Sequence, residues 1–326
     1  MSSPTKEGSR ESKESGLREN TTRLISSQSS SSSHSSKWEK YQKLMHEYTN
    51  DRVKKNALDD PGYFAKKRDE AQFYYEICCL YSIERNIIQN LAPILSLPLI
   101  IYVLRSNYND DSSSVLNLGC SNALNKESMN HIVQGLNNYW MQASIKFEPV
   151  NIIDLETKGI LPVEFESDAN EIISKGRGLR GQDRKSFFIN KLLRTLKLSL
   201  NTSQIIFNHH YEVWFMDTIG DTLQGVCIDR RNRTIIMGER STKGYKNLTA
   251  RPHECLAKTM AHELGHALGL NHPKGMKFKD GKNRSNKNNL MTGGKDSMGG
   301  GGHFLENWQM LLARSHAENF LDIAQR

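Results

Sequence analysis

The sequence predicts an α+β fold, in which helices pack against one sheet. Five short stretches are rich in β-branched and aromatic residues and have the length of strands, at 97–106, 144–150, 211–217, 223–228 and 234–239. Two longer stretches place apolar residues at helical spacing, one between the first two strands and one after the last. At 326 residues with 37% hydrophobic content, the chain is long enough to bury one sizeable core.

The first of these helices is predicted at 125–143, directly before the strand at 144–150. Its apolar side recurs at intervals of three and four residues. The residues on that side are Ile132, Val133, Leu136, Tyr139 and Trp140. The strand at 97–106 precedes this helix and is entered through a linker, because the apolar run at 91–104 contains two prolines.

The second helix follows the strand at 234–239. Its buried side is predicted from five apolar residues at helical spacing, Leu256, Met260, Leu264, Ala267 and Leu268. A further helix is expected at 186–200, "SFFINKLLRTLKLSL", while the rest of 151–205 shows no clear pattern.

The chain divides into three parts. Residues 1–36 contain fourteen serines and almost no large apolar residue, so they cannot offset the entropy cost of folding and are predicted to be a disordered tail. Residues 37–97 are predicted to form a helical segment and a linker, with "DDPGY" at 59–63 as a break. This segment suits a prodomain, a docking module or a packing extension of the main domain at 98–326.

The N-terminus, the apolar runs and the cysteines indicate the cellular compartment in which the chain is expected. The N-terminus has no apolar stretch behind a basic start, so no secretory signal is predicted. The apolar run at 91–104 is shorter than the roughly 20 residues of a spanning helix, so no membrane span is expected. Five cysteines without framework spacing favour a reducing compartment. We therefore expect an intracellular protein, in the cytoplasm or the nucleus.

The stretch "HELGHALGLNH" at 262–272 contains three histidines, and the first two are four residues apart. Residues four apart lie on one face of a helix, so His262 and His266 can both reach one zinc ion, and Glu263 can address a water on that ion. Gly269 can take the left-handed conformation that ends a helix and reverses the chain, which would bring His272 to the same ion. Spacing therefore predicts three metal ligands and a catalytic base.

The alternative is a buried helix in which the histidines are incidental. A chance match to five fixed positions is expected in on the order of one chain in 10,000, so the metal site is the favoured interpretation. Four other histidines, His209, His210, His253 and His303, are expected to be surface or packing residues.

The segment His262-Glu263-x-x-His266-x-x-Gly269-x-x-His272 resembles the zinc signature of the metzincin metalloproteases. Met291, in "NNLMTGG", matches the methionine of the family's Met-turn, which packs beneath the three imidazoles. The words "HALGLNHP" are most similar to matrixins and their bacterial and archaeal relatives. The resemblance covers roughly residues 98–320. It implies a twisted, mixed five-stranded sheet, an active-site helix and a small C-terminal subdomain that ends in a helix.

The resemblance also implies an activity. The chain would be a zinc metalloendopeptidase with one catalytic Zn²⁺, held by His262, His266 and His272. A metal-activated water would attack the peptide bond, with Glu263 as general base. The substrate would be a protein or peptide bound in extended form, pairing with the strand near 223–228 at the sheet edge.

Two departures from the family limit the comparison. Gly293 stands where astacin-like and serralysin-like members keep a tyrosine, so neither subgroup is favoured. The prodomain cysteine with which matrixins cap the zinc has no counterpart, because Cys78, Cys79 and Cys120 lie in unrelated contexts. Latency by that switch is not expected.

Two other functions stay open. The net charge of the chain is +8, and basic residues are concentrated at 274–295. This segment contains seven basic residues and one acidic residue, Asp280. Such a loop could attract nucleic acid, which would make the chain a protease of nucleic-acid-associated proteins, although a charge run is most often a solvated loop. A zinc-binding scaffold without catalysis is the third hypothesis, and the presence of Glu263 disfavours it.

Overall fold

The computed structural model describes residues 39, 42–43, 63–80, 85–105, 119–156, 209–217, 219, 224–229, 233–241, 249–273, 288–292 and 302–325. The predicted tail at 1–36 and the predicted helix at 186–200 lie outside these residues. All seven basic residues of the 274–295 segment also lie outside them. Within the described ranges, no helix has the length and apolar character needed to cross a membrane.

A five-stranded mixed sheet lies at the centre of the fold, as the sequence predicts. The strands are β1 (Leu95–Arg105), β2 (Ile145–Glu156), β3 (Tyr211–Met216), β4 (Gly225–Asp229) and β5 (Thr234–Gly238). Their order is β2-β1-β3-β5-β4. All neighbours are parallel except β4, which runs antiparallel to β5. Among the strands that the structure describes, β4 is the edge strand on its side. Two short strands, β6 (Arg240–Ser241) and β7 (Thr249–Ala250), pair separately.

Strand β2 continues to Glu156, six residues beyond the predicted end at 150. Residues 151–156 pair with the second half of β1, after a register shift at Leu99/Ile100. Three of them are partly buried, two are exposed and one is buried, so the sequence carries no regular alternation there. The extension is therefore stabilised by backbone pairing with β1, which the pattern of side chains does not reveal.

Strand β1 begins at Leu95, two residues earlier than predicted, and therefore contains Pro98. A proline cannot donate a hydrogen bond to a neighbouring strand. Pairing with β3 begins only at Leu99, whereas Leu95 already donates its N–H to Ser144 O of the β2 side at 2.9 Å. Pro98 thus lies where β1 still has one neighbour, and the strand tolerates it.

Helix α3 (Lys126–Trp140) confirms the helix predicted at 125–143, and a short 3₁₀ helix, Met141–Ala143, completes that span. It is preceded, within the described ranges from residue 63 onwards, by α1 (Tyr63–Leu80) and α2 (Arg85–Leu91). The Asn125 side chain caps α3 by accepting a hydrogen bond from Ser128 N at 2.9 Å. Of the predicted apolar side, Tyr139 is half-buried and the other four residues are buried.

The segment before the sheet packs into the same core as the sheet. Ile77 of α1 and Ile88 of α2 are fully buried, and both belong to the hydrophobic cluster that contains the inner faces of β1 and α3. These contacts join the segment to the core of the sheet and α3.

The last described helix, α5 (Asn307–Gln325), is fastened to the start of the sheet by one buried arginine. Arg314 Nη1 donates to the carbonyl oxygens of Pro93, Ala143 and Ser144, each at 3.0 Å. Burial lowers the pKa of the Arg314 guanidinium, while the neighbouring Glu318 carboxylate opposes this shift. Two of these backbone oxygens lie where α3 passes into β2, and the third lies just before β1.

Candidate metal centre

Helix α4 (His253–Ala267) carries the first two histidines of the motif. Its predicted apolar residues are all buried, so the helix lies with one side in the core. Arg251, just before the helix, donates through Nη1 to the carbonyl oxygens of Gln224 and Gly238, at 2.9 and 3.0 Å. The N-terminal end of α4 is thereby tied to the sheet beside β4 and β5.

The chain reverses after α4 as predicted. Gly269 has φ +86°, in the left-handed region that favours glycine. Two backbone hydrogen bonds close the turn, from Gly269 N to His266 O at 3.1 Å and from Leu270 N to Gly265 O at 2.9 Å. The turn points the following residues back towards the helix, so His272 approaches its two predecessors.

The three imidazoles meet at their Nε2 atoms. His272 Nε2 lies 3.0 Å from His262 Nε2 and 3.0 Å from His266 Nε2. Across the triad, the atoms that each histidine offers lie within 4.8 Å of one another. His262 is buried, His266 half-buried and His272 exposed. The group is therefore buried on the side of His262 and open to solvent on the side of His272.

The opposite ring nitrogens of the first two histidines are held by backbone oxygens. His262 Nδ1 lies 2.7 Å from Leu290 O, and His266 Nδ1 lies 2.8 Å from Leu270 O. A carbonyl oxygen only accepts, so each Nδ1 carries the hydrogen and donates it. In a neutral imidazole, Nε2 then keeps its lone pair, and this is the form that binds a metal ion.

These residues fit a metal ion. Lone pairs that converge without a proton between them repel one another, and a cation removes that repulsion. Zinc binds histidine nitrogens at about 2.0–2.1 Å with tetrahedral geometry, which places ligand nitrogens about 3.4 Å apart. The two distances of 3.0 Å are close to that value. The described residues thus contain a three-histidine group that could hold one metal ion.

Glu263 lies between helix α4 and the edge strand. Its side chain is buried, and Oε2 accepts a hydrogen bond from Cys227 N of β4 at 2.7 Å. A Cβ added at Gly225 would lie 2.9 Å from Glu263 Cγ, so β4 passes close to this side chain. The carboxylate is therefore oriented by strand β4.

Met291 lies beneath the helix of the histidines. It is fully buried, and a Cβ added at Gly265 would collide with Met291 Sδ. Gly265 immediately precedes His266, so the thioether packs against the backbone that carries the ligands. The neighbouring Leu290 supplies the carbonyl for His262. The candidate Met-turn thus supports the histidines by packing and by a hydrogen bond.

Two buried amides, neither of which was predicted from the sequence, hold the turn of Met291. Asn289 Oδ1 accepts from Met291 N at 2.8 Å, and Asn289 Nδ2 donates to Gln309 Oε1 of α5 at 2.6 Å. Gln309 Oε1 also accepts from Glu306 N at 2.9 Å. An asparagine two residues before the predicted turn methionine is a usable signal, since asparagine often bonds to the backbone two residues on.

The other histidines do not join the triad. Among the described residues, only His262, His266 and His272 form a group of three or more that could hold a metal ion. His303 stacks on Tyr139 at 5.4 Å, and His131 stacks on His253 at 6.5 Å. These contacts agree with packing roles.

The cysteines contribute neither a disulfide nor a ligand to the triad. None of the five forms a disulfide. Burial raises the pKa of the Cys78 thiol to about 12 and raises that of Cys120 as well. Among the described residues, the group of potential metal ligands contains no cysteine.

We expect Gly269→Ala to lower the free energy of unfolding by at least about 1–2 kcal/mol, because alanine in the left-handed region carries about that strain. The new Cβ would also lie 2.6 Å from His316 Nε2 of α5. Urea unfolding of the metal-free protein measures the loss. Gly269→Ala combined with His316→Ala removes the collision and leaves the backbone strain, so it separates the two effects. Equal stability of Gly269→Ala and wild type would contradict the conformation of the turn.

Neither the models of known protein families nor the curated proteins give a match to this chain. The metzincin resemblance therefore rests on the motif residues.

Proposed function

We propose that this chain is a zinc-dependent endopeptidase that hydrolyses peptide bonds with Glu263 as general base. The observation that carries the proposal is the convergence of the three Nε2 atoms at one point. The residue after the first of these histidines is Glu263, which is buried and accepts a hydrogen bond from the edge strand. A site with open access on one side suits catalysis, because a catalytic zinc has three protein ligands and an open position.

His262, His266 and His272 would hold the metal. Three neutral imidazoles suit zinc, which binds nitrogen ligands with tetrahedral geometry. When bound, zinc supplies Lewis acidity, which lowers the pKa of a water at the open position and polarises the carbonyl of the substrate. The hydrogen bonds from Nδ1 to Leu290 O and Leu270 O fix the orientation of two of the three rings.

Glu263 would move the proton. Its carboxylate takes one proton from the attacking water, and the carboxyl then gives that proton to the nitrogen of the leaving amine as the peptide bond breaks. The residue ends in the state in which it began. The hydrogen bond that Oε2 accepts from Cys227 N orients the carboxylate.

Strand β4 would receive the substrate. It is the last strand of the sheet and runs antiparallel to β5. An extended peptide can add to such an edge through main-chain hydrogen bonds. Because Cys227 of β4 also orients Glu263, a peptide on this strand would lie beside the general base.

A non-catalytic zinc scaffold is the main alternative. A structural zinc site has four protein ligands and is closed. The described residues supply three histidines, and His272 is exposed. A buried glutamate beside the triad has no use in a structural site, so the geometry favours the enzyme.

Metal removal tests the proposal directly. We expect elemental analysis of the purified full chain to find one zinc per chain, since three ligands converge on one point. A chelator should abolish cleavage of a peptide library, and added Zn²⁺ should restore it. Replacement of His303, which stacks on Tyr139, by alanine is the control and should leave the zinc content unchanged. A wild-type chain expressed with zinc present but containing none would overturn the ligand assignment.

A further inference from the structure

One side chain from helix α5 lies against the turn that separates the second and third histidines. A Cβ added at Gly269 would lie 2.6–2.8 Å from three atoms of the His316 ring. The imidazole therefore occupies the space that a side chain at this position would need. Gly269 precedes Leu270, whose carbonyl oxygen orients His266. His316 thus contacts the backbone through which His266 and His272 are connected.

His316 is itself held from helix α1. Its Nε2 lies 2.9 Å from Glu70 Oε1, and since an ionised carboxylate only accepts, the imidazole N–H donates. Both side chains are a little more than one-third exposed. One position before His316, Ser315 makes a side-chain hydrogen bond with Tyr74 of α1. Helix α1 is thus bonded to two consecutive residues of α5, next to the ligand turn.

From these contacts we infer that His316 and Glu70 are positioning residues for the metal centre, and that α1 acts on the ligand turn through them. The chain of contacts runs from Glu70 to His316, from His316 to Gly269, and from there to Leu270 O and His266 Nδ1. The inference rests on the metal centre of the proposed function. It assigns to the N-terminal helical segment a role in metal binding in addition to its packing in the core.

The physical reason lies in the turn itself. Gly269 has no side chain of its own to pack, and glycine backbones lose more conformational freedom on folding than others. The His316 ring limits where this glycine can move. If the ring is removed, the backbone from 268 to 271 gains freedom, and the carbonyl that orients His266 becomes less well placed. Metal affinity should fall, because groups that orient the metal ligands influence how tightly the metal is bound.

The test is metal affinity in the full chain, with zinc titrated into metal-free protein against a chromophoric chelator. We expect Glu70→Ala and His316→Ala each to weaken zinc binding about 3- to 10-fold, below the 10- to 100-fold typical of direct outer-shell partners. The double variant should bind zinc no more weakly than His316→Ala alone, because Glu70 acts through His316. The absorption spectrum of bound Co²⁺ should also change in both single variants, since it reports ligand geometry.

Glu76→Ala is the matched control. Glu76 lies on α1 as Glu70 does, but it accepts a hydrogen bond from Gln72 within the same helix, at 2.9 Å. The zinc affinity and the Co²⁺ spectrum of the Glu76→Ala variant should equal those of the wild type. Glu70→Gln keeps an acceptor for His316 and should restore most of the affinity, which provides a folded variant if either alanine variant fails to fold.

The outcomes separate the two proposals. A wild-type chain that binds no zinc overturns the proposed function, and the inference with it. If the wild type binds zinc, and Glu70→Ala and His316→Ala bind it as tightly as the wild type does, the inference alone is overturned. Additive losses in the double variant would also overturn it, because they would show that Glu70 affects the site by another route.

Discussion

Glu263→Gln should reduce peptide hydrolysis by about 10²–10⁴-fold, because general acid–base groups typically contribute that much and an amide cannot take the proton. The fold should persist. The glutamine side-chain oxygen can still accept the hydrogen bond from Cys227 N, and the size of the side chain is unchanged. Zinc content should stay at that of the wild type, since the three histidines keep their positions. Steady-state kinetics on a short peptide, with zinc analysis of the same sample, measure both.

Glu254→Gln is the control for this change. Glu254 lies on the same helix, is exposed, and belongs to the first turn of α4. Its replacement should leave the rate within a small factor of the wild type. Wild-type turnover in Glu263→Gln would contradict the general-base role. Loss of zinc in that variant would show instead that the carboxylate supports the metal site.

Met291→Ala should lower the free energy of unfolding by about 2–5 kcal/mol, the range for truncation of a large buried side chain that leaves a cavity. Met291 is fully buried, and its sulfur packs against Gly265 in the helix of the ligands. The three histidines remain in the chain, so zinc binding should weaken without being lost. Urea unfolding of the metal-free protein measures the stability, which keeps metal binding out of the comparison.

Met141→Ala is the matched control, because Met141 is 39% exposed. A substitution of an exposed residue usually changes stability by no more than about 0.5 kcal/mol. If Met291→Ala were as stable as Met141→Ala, the methionine would not fill the space beneath the ligands. The assignment of a Met-turn would then be wrong.

The parts of the site that the sequence could predict are those coded by local spacing. His262 and His266 share a helix face because they are four residues apart, and Gly269 has the left-handed conformation that the third ligand requires. The sequence also predicts the positions of the five strands, since β-branched and aromatic residues mark each of them.

What the sequence could not predict depends on contacts between distant segments. The partners of the histidine Nδ1 atoms are backbone oxygens, which every residue has and no pattern marks. Arg251, Gln309 and His316 act on the site from outside the motif, and each looks like an ordinary polar residue in the sequence. Their roles follow only from which helices pack together, and local periodicity does not determine that packing.

The bonds of Arg314 have a consequence for the order in which the protein folds. This arginine is 170 to 221 residues away from the carbonyl oxygens that it binds. Contacts between such distant positions close large loops and slow folding. All three histidines precede α5 in the chain, so during synthesis they leave the ribosome before the helix that locks the start of the sheet. A nascent chain stalled before Asn307 should therefore resist protease less well than one that carries an added C-terminal linker long enough to bring α5 out of the ribosome. Such a difference would show that the metal centre is completed only when α5 has emerged.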